Sequence, residues 1–276
     1  MAGGIPLIGS VSYLGSVTNP AGAVTIPAGA SANTKGAWVT LVSSTPDDVD
    51  VISFSCTSNY DGGTLNQGSI DFGIGPAGSE VVVIHDILVG QGGNTNKDAL
   101  FCVPFHAPAG SRIAVRGQDT GAVSAGTVNI SYFFGNFLHS TSSAGVDAVG
   151  FLPASTTGTI LTAPSAVNTP GAWSQLTSAS SSDYVGFYLS LDTANTWGGD
   201  TLRYNCMIDV AIGPSGSEQI IVSGLVVALN NTMGNFFPNY LGPFALPIPA
   251  GSRISARYTY SSTNGDCALI LYGMRQ

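Results

Sequence analysis

Charge is what this sequence has least of. Only 9% of its 276 residues are Asp, Glu, Lys or Arg, against about a quarter in an ordinary soluble domain. Eight residues are basic and they are scattered, so no clustered footprint for phosphates exists; with a net charge of −8 this argues against a nucleic-acid partner. No stretch approaches the roughly 18 apolar residues of a membrane span, and the opening MAGGIPLIGS has no basic flank. Neither a membrane segment nor a secretory signal is therefore expected. The four cysteines, at 56, 102, 206 and 267, show no CxxC spacing and read as reduced, buried thiols rather than disulfide partners or metal ligands. His85, His106 and His139 share no metal-ligand spacing, and neither HExxH nor GxSxG occurs. No motif assembles a nucleophile, a base and an orienting group, and no cofactor is expected.

What is present is Gly, Ser, Thr and Asn in quantity, with aliphatic residues that are largely Val, Ile and Leu. Short runs such as VDVISFSC, EVVVIHDILV and RISARYTY, bounded by Gly, Pro, Asn and Asp at about 10-residue spacing, read as antiparallel strands. No amphipathic helix is evident. The chain is all-β.

Phrases also recur in one order. NTKGAW at 33–38 returns as NTPGAW at 168–173, IDFGIGPAGSE at 70–80 as IDVAIGPSGSE at 208–218, and PAGSRIAVR at 108–116 as PAGSRISAR at 249–257. The offsets are 135, 138 and 141, as expected for a duplicated unit whose second copy gained length in two loops. The expected organisation is two tandem, duplicated antiparallel β-sandwiches of jelly-roll type, 1–140 and 141–276, each of seven or eight strands and joined by the small polar segment 138–145.

The only two glutamates, Glu80 and Glu218, close the second phrase, and four of the six arginines sit in the third: Arg112, Arg116, Arg253 and Arg257. Residues i and i+4 of a strand face one way, so each arginine pair shares a side. An ion pair from Glu80 to Arg112 or Arg116, with its counterpart from Glu218, would lock a hairpin to a neighbouring strand; the alternative is an arginine facing another subunit. Gly73 to Gly78 spells GxGxxG, but a strand follows instead of a helix, so the string reads as a hairpin turn. Trp38 and Trp173 occupy matching positions and read as sheet-packing residues. Trp197 has no counterpart and could stack on a sugar or partner. Asp47, Asp48 and Asp50 precede a strand and Asp192 and Asp200 flank the Trp197 loop; without EF-hand spacing they read as turn carboxylates rather than calcium ligands.

The succession IGPAGSE, an aliphatic strand, a Gly/Asn loop and PAGSRIAVR resembles a repeat of β-sandwich structural proteins of tailed bacteriophages, those that decorate heads or form spikes and fibres. The matching phrases cover about a quarter of each half. The resemblance implies a non-enzymatic virion protein with no catalytic residues. Its partners would be other copies of itself, as a homotrimer, and the major capsid or other virion proteins. The cement role and a fibre role binding host-surface carbohydrate through Trp197 both stand as expectations.

Overall fold

The computed structural model describes residues 10–14, 24–58, 67–91, 98–120, 125–134, 145–162, 164–192, 203–230, 239–260 and 267–275. Every regular element among them is a strand, as the β-branched runs between turn formers require. The first half supplies β1 (Ser10–Leu14), β2 (Val24–Pro27), β3 (Val39–Val42), β4 (Val49–Ser58), β5 (Gln67–Ile74), β6 (Val81–Gln91), β7 (Asp98–Ala107), β8 (Ile113–Asp119) and β9 (Ala125–Phe134). The second supplies β10 (Gly145–Val149), the short β11 (Phe151–Leu152), β12 (Thr157–Leu161), β13 (Ser174–Thr177), β14 (Tyr184–Asp192), β15 (Arg203–Ile212), β16 (Gln219–Asn230), β17 (Asn239–Phe244), β18 (Ile254–Tyr260) and β19 (Cys267–Arg275).

The pairings are nested. In the first half β2 pairs with β9, β3 with β8, β4 with β7 and β5 with β6, all antiparallel. The second half repeats the scheme with β12·β19, β13·β18, β14·β17 and β15·β16. Contacts β4·β9 and β5·β8, and likewise β14·β19 and β15·β18, gather alternate pairs into two sheets per half. This is a long hairpin folded over itself, the jelly-roll arrangement of a β-sandwich. Register repeats too: Ile74 faces Ile113 in the first half and Ile212 faces Ile254 in the second.

The halves are not two beads on a string. Most of the expected linker lies outside the described residues, but β10, which begins at Gly145, lies between β19 of its own half and β6 of the other, pairing with β6 in parallel at Val146 and Ile84. One continuous sheet therefore runs from β3 through β8, β5 and β6 into β10, β19 and β14. Successive residues of a strand face opposite ways, and β19 uses both faces. Cys267, Leu269 and Leu271 belong to the core of the second half, while Ile270, Tyr272 and Met274 close the core of the first beside Ile84 and Ile87. The chain passes close enough at this joint that a Cβ on Gly145 would lie 2.3 Å from the Val83 carbonyl oxygen, and the residue holds a φ of +152°. Only glycine meets both conditions without strain.

The Tyr272 hydroxyl completes the joint. It accepts a hydrogen bond from the Leu88 N–H at 3.0 Å and donates one to the Asp86 carbonyl at 3.0 Å, so it satisfies edge groups of β6 where β10 does not. Tyr272→Phe removes both hydrogen bonds, and should cost about 1–3 kcal/mol. Urea unfolding followed by fluorescence and circular dichroism should show one coincident transition shifted to lower urea, since the two cores share β19.

Candidate functional site

The charged side chains are built into two corners per half. At the outer corner the β5–β6 turn is closed by a Ser79 N–H to Pro76 C=O bond of 3.0 Å, with Gly78 at φ +83°. Glu80 Oε2 accepts from the Gly78 N–H at 2.9 Å, and its Oε1 lies 2.7 Å from Arg112 Nη1. Arg112 also donates to the Gly75 carbonyl at 3.1 Å and to Thr40 Oγ1 at 2.9 and 3.0 Å. One guanidinium thus joins the turn to β8 and β3. The second half repeats it: Gly216 N–H to Glu218 Oε2 at 2.9 Å, Arg253 Nη1 to Glu218 Oε1 at 3.2 Å and to the Gly213 carbonyl at 3.1 Å, with Gln175 at 3.0 Å in place of Thr40. Burial works against both carboxylates. The Arg112 hydrogen bond for Glu80, and backbone N–H groups followed by Arg253 for Glu218, outweigh it and hold both below the usual carboxylate range.

Arg116 and Arg257 take different partners. Arg116 Nε donates to Asp71 Oδ2 at 2.8 Å while its guanidinium lies 4.6 Å from the Trp38 ring centroid. Arg257 does the same with Asp209 at 2.9 Å and Trp173 at 4.4 Å. The two tryptophans are half-buried plates on the outer sheet face, each carrying a cation. The other oxygen of each aspartate holds a bulge in the next strand: Asp86 N–H donates to Asp71 Oδ1 at 2.9 Å, Gly224 N–H to Asp209 Oδ1 at 2.8 Å. Both bulge residues have positive φ, 49° at Asp86 and 59° at Gly224. Glycine adopts this freely and Asp is among the few other residues that tolerate it.

The halves differ where that strain is accepted. Asp86 adds a carboxylate to the first corner, and Lys35 bridges it to Asp71, with Nζ 2.9 Å from Asp71 Oδ1 and hydrogen-bonded to Asp86 Oδ1. Ser69 Oγ lies 3.3 Å from both Lys35 Nζ and Asp86 Oδ1. The corresponding residues of the second half are Pro170, Gly224 and Met207, so the cluster exists once. It stands at the joint: Lys35 Nζ is 5.9 Å from the Phe151 ring, and Gln118 Nε2 donates to the Pro153 carbonyl at 2.7 Å and to Thr156 Oγ1 at 2.8 Å. Thr156 in turn donates to Asn33 Oδ1 at 2.7 Å, and Arg275 Nη2 reaches the Val83 carbonyl at 3.3 Å. Burial raises the Asp71 carboxyl, but the Lys35 charge, the Asp86 N–H and Arg116 together bring it below its ordinary value. For Asp86 burial wins: with the Asp71 charge adding to it, the carboxyl is raised despite Lys35.

The other singled-out residues fall as follows. Asp48 Oδ1 accepts from the Ala109 N–H at 2.8 Å and Asp183 from the Ala250 N–H at 2.8 Å, so both cap the PAGSR turns; Asp47 is exposed. Cys206 and Cys267 are buried free thiols, and burial pushes Cys206 up to about 12, well away from thiolate chemistry. Among the described residues no group of His, Cys, Asp and Glu has metal-site geometry. Trp197, Asp200 and His139 lie outside the described residues, and Asp192 ends β14. Lys35, Asp86 and Tyr272 are the contributors that phrase matching passes over. Their signal is the mismatch between copies, NTKGAW against NTPGAW and HD against SG.

No known protein family matches the chain, and no curated protein does. Among solved structures it is similar to a chain described under "The Triple Jelly Roll Fold and Turret Assembly in an Archaeal Virus", at 12% identity and a TM-score of 0.24, over 91% of this chain and 58% of that one. It is also similar to the N-terminal CBM22-1-CBM22-2 tandem domain of Xyn10C from Paenibacillus barcinonensis, at 10% identity and a TM-score of 0.27, over 96% and 91%. The chain spans 58% of the length of the archaeal virus protein. The β-sandwich assignment rests on the strand pairings above rather than on likenesses this distant.

Two carboxylates at opposite ends of this behaviour give opposite pH slopes. The depressed Glu80 contributes stability above the ordinary Glu value and loses it as pH falls through its lower folded value. Glu80→Gln should therefore be least stable relative to wild type near pH 7, and the gap should close on acidification. The raised Asp86 imposes a penalty that sets in as pH climbs from the ordinary Asp value of 3.8 through its higher folded value. Asp86→Asn should remove that fall, measured by urea unfolding from pH 3 to pH 7.

Proposed function

We propose that the chain is a non-enzymatic structural protein of a bacteriophage virion, a decoration or cement protein that binds the head surface and stabilises it. Its units are the two jelly rolls of residues 1–140 and 141–276, and it works as a homotrimer. The observation that carries this reading is where the charge goes. Lys35, Arg112, Arg116, Arg253, Arg257 and Arg275, six of the eight basic residues, are held in ion pairs within the chain, as are both glutamates. These basic residues serve as internal fasteners, which suits a rigid block whose cation-poor surface is meant for other proteins. The same placement leaves these groups without the pairing of a free base and nucleophile that hydrolysis needs.

The first half is the anchoring half in this proposal, through the uncharged opening segment MAGGIPLIGS. Purified protein added to heads that lack it should co-sediment with them and raise the temperature at which they release DNA. A chain without residues 1–9 should fold but fail to co-sediment. Binding to a glycan array with no binding to heads would overturn the cement role in favour of host attachment.

A further inference from the structure

The two halves share one topology but not one environment at the strand that ends the second sheet. In the first half that strand is β6, and its outer edge is covered by β10 and by Tyr272. In the second half the equivalent strand is β16, and among the described residues nothing pairs with its outer edge. Residues matched by the 138-residue offset show the effect. Leu88 is 3% exposed and its counterpart Val226 is 65% exposed; Ser69 is 0% exposed and its counterpart Met207 is 42% exposed. Met207 and Val226 are direct cross-strand partners, so they form one apolar patch, and Ile220 on the same strand is 42% exposed. β16 is 12 residues long and reads QIIVSGLVVALN, without one charge or proline. Edges that stay solvated are normally interrupted by such residues; a long uncharged edge is a template for another strand.

The chain also carries the matching piece. The first-half counterpart of β10 is β1, which among the described strands pairs with β9 alone. In the internal joint the strand ends at β6 are met by the paired positions Val146·Met274 and Ala148·Tyr272. The same register positions of β1 and β9 hold Val11·Phe133 and Tyr13·Ser131. The small residue and the tyrosine have changed strands, and the two pairs together still supply one tyrosine, one valine and one larger apolar residue. Ser10 stands in place of Gly145.

We infer that β16 of one copy accepts β1 of a second copy in parallel, repeating between chains the joint that unites the halves within each. Such a head-to-tail contact joins two different patches, which a closed trimer requires and an isologous dimer does not. The inference deepens the self-assembly part of the proposed function and rests on it, but it concerns purified chains only. Failure to bind heads would leave it standing.

Light scattering on the full chain should show mass rising with concentration. Val226→Lys on β16 and Tyr13→Ala on β1 should each weaken association at least tenfold, with circular dichroism unchanged. Mixing the two variants is decisive: each retains the patch the other has lost, so a single intact joint forms and the mixture yields dimers that neither variant gives alone. A second measurement guards against misfolding of either variant. Val11→Cys chains mixed with Val222→Cys chains, at the positions matching Val146 and Ile84, should cross-link under oxidation into heterodimers. Wild-type chains that stay monomeric throughout would assign the β16 edge to a partner of another kind. Cross-links only between two Val222→Cys chains would replace the joint with a twofold β16–β16 contact. Either result overturns the inference.

Discussion

Everything in this molecule leans on one strand whose two faces are both buried. A strand in a sandwich ordinarily gives one face to its core and the other to water. β19 gives its odd-numbered residues to one core and its even-numbered residues to the other, so neither hydrophobic core is complete without it. That constraint explains the parallel contact of β10 with β6, the glycine at 145, and the buried tyrosine whose hydroxyl serves backbone groups 184 and 186 residues away. It also fixes the relation of the two jelly rolls, since rotating one against the other would expose the outer face of β19.

Around this apolar joint the scarce charges are placed as fasteners. Each half spends a Glu–Arg pair on a turn and an Asp–Arg pair, stacked on tryptophan, on a bulge. These pairs are half-buried and hydrogen-bonded on several sides, the circumstances in which ion pairs specify geometry rather than merely decorate a surface. The first half adds Lys35 and Asp86 where it meets the second. An extra cluster at the joint, present in the copy that is covered and missing from the copy that is open, marks which side of a jelly roll had to be adapted to a neighbour.

Much of this was legible in the sequence. The strands were, because turn formers bound every apolar run, and the duplicated unit was, because the phrases that recur are the ones that hold charges: Asp71 and Asp209, Glu80 and Glu218, and the four arginines all stand in them. The assignment of Glu80 to Arg112 and of Asp71 to Arg116 was not, since two arginines four apart on one strand are equivalent until the neighbouring strands are placed. The shared core was hidden for another reason. It is written only once, in the contrast between TVNISYFF, which alternates, and CALILYGM, which does not. A run without alternation signals burial on both faces, but nothing in it says that the second face belongs to the other half.

The position of β19 along the chain has a consequence for how the protein comes to be made. A ribosome delivers the first half well before residues 267–275, and domains of a nascent chain usually fold in the order in which they emerge. Here the earlier half waits. Until Ile270, Tyr272 and Met274 have left the exit tunnel, the core around Ile84 and Ile87 of β6 lacks three of its members and the amide of Leu88 has no phenol to meet. Final consolidation of both halves is thereby postponed to nearly the end of synthesis, and a chain truncated just short of β19 is left with two unfinished cores rather than one finished domain and one fragment.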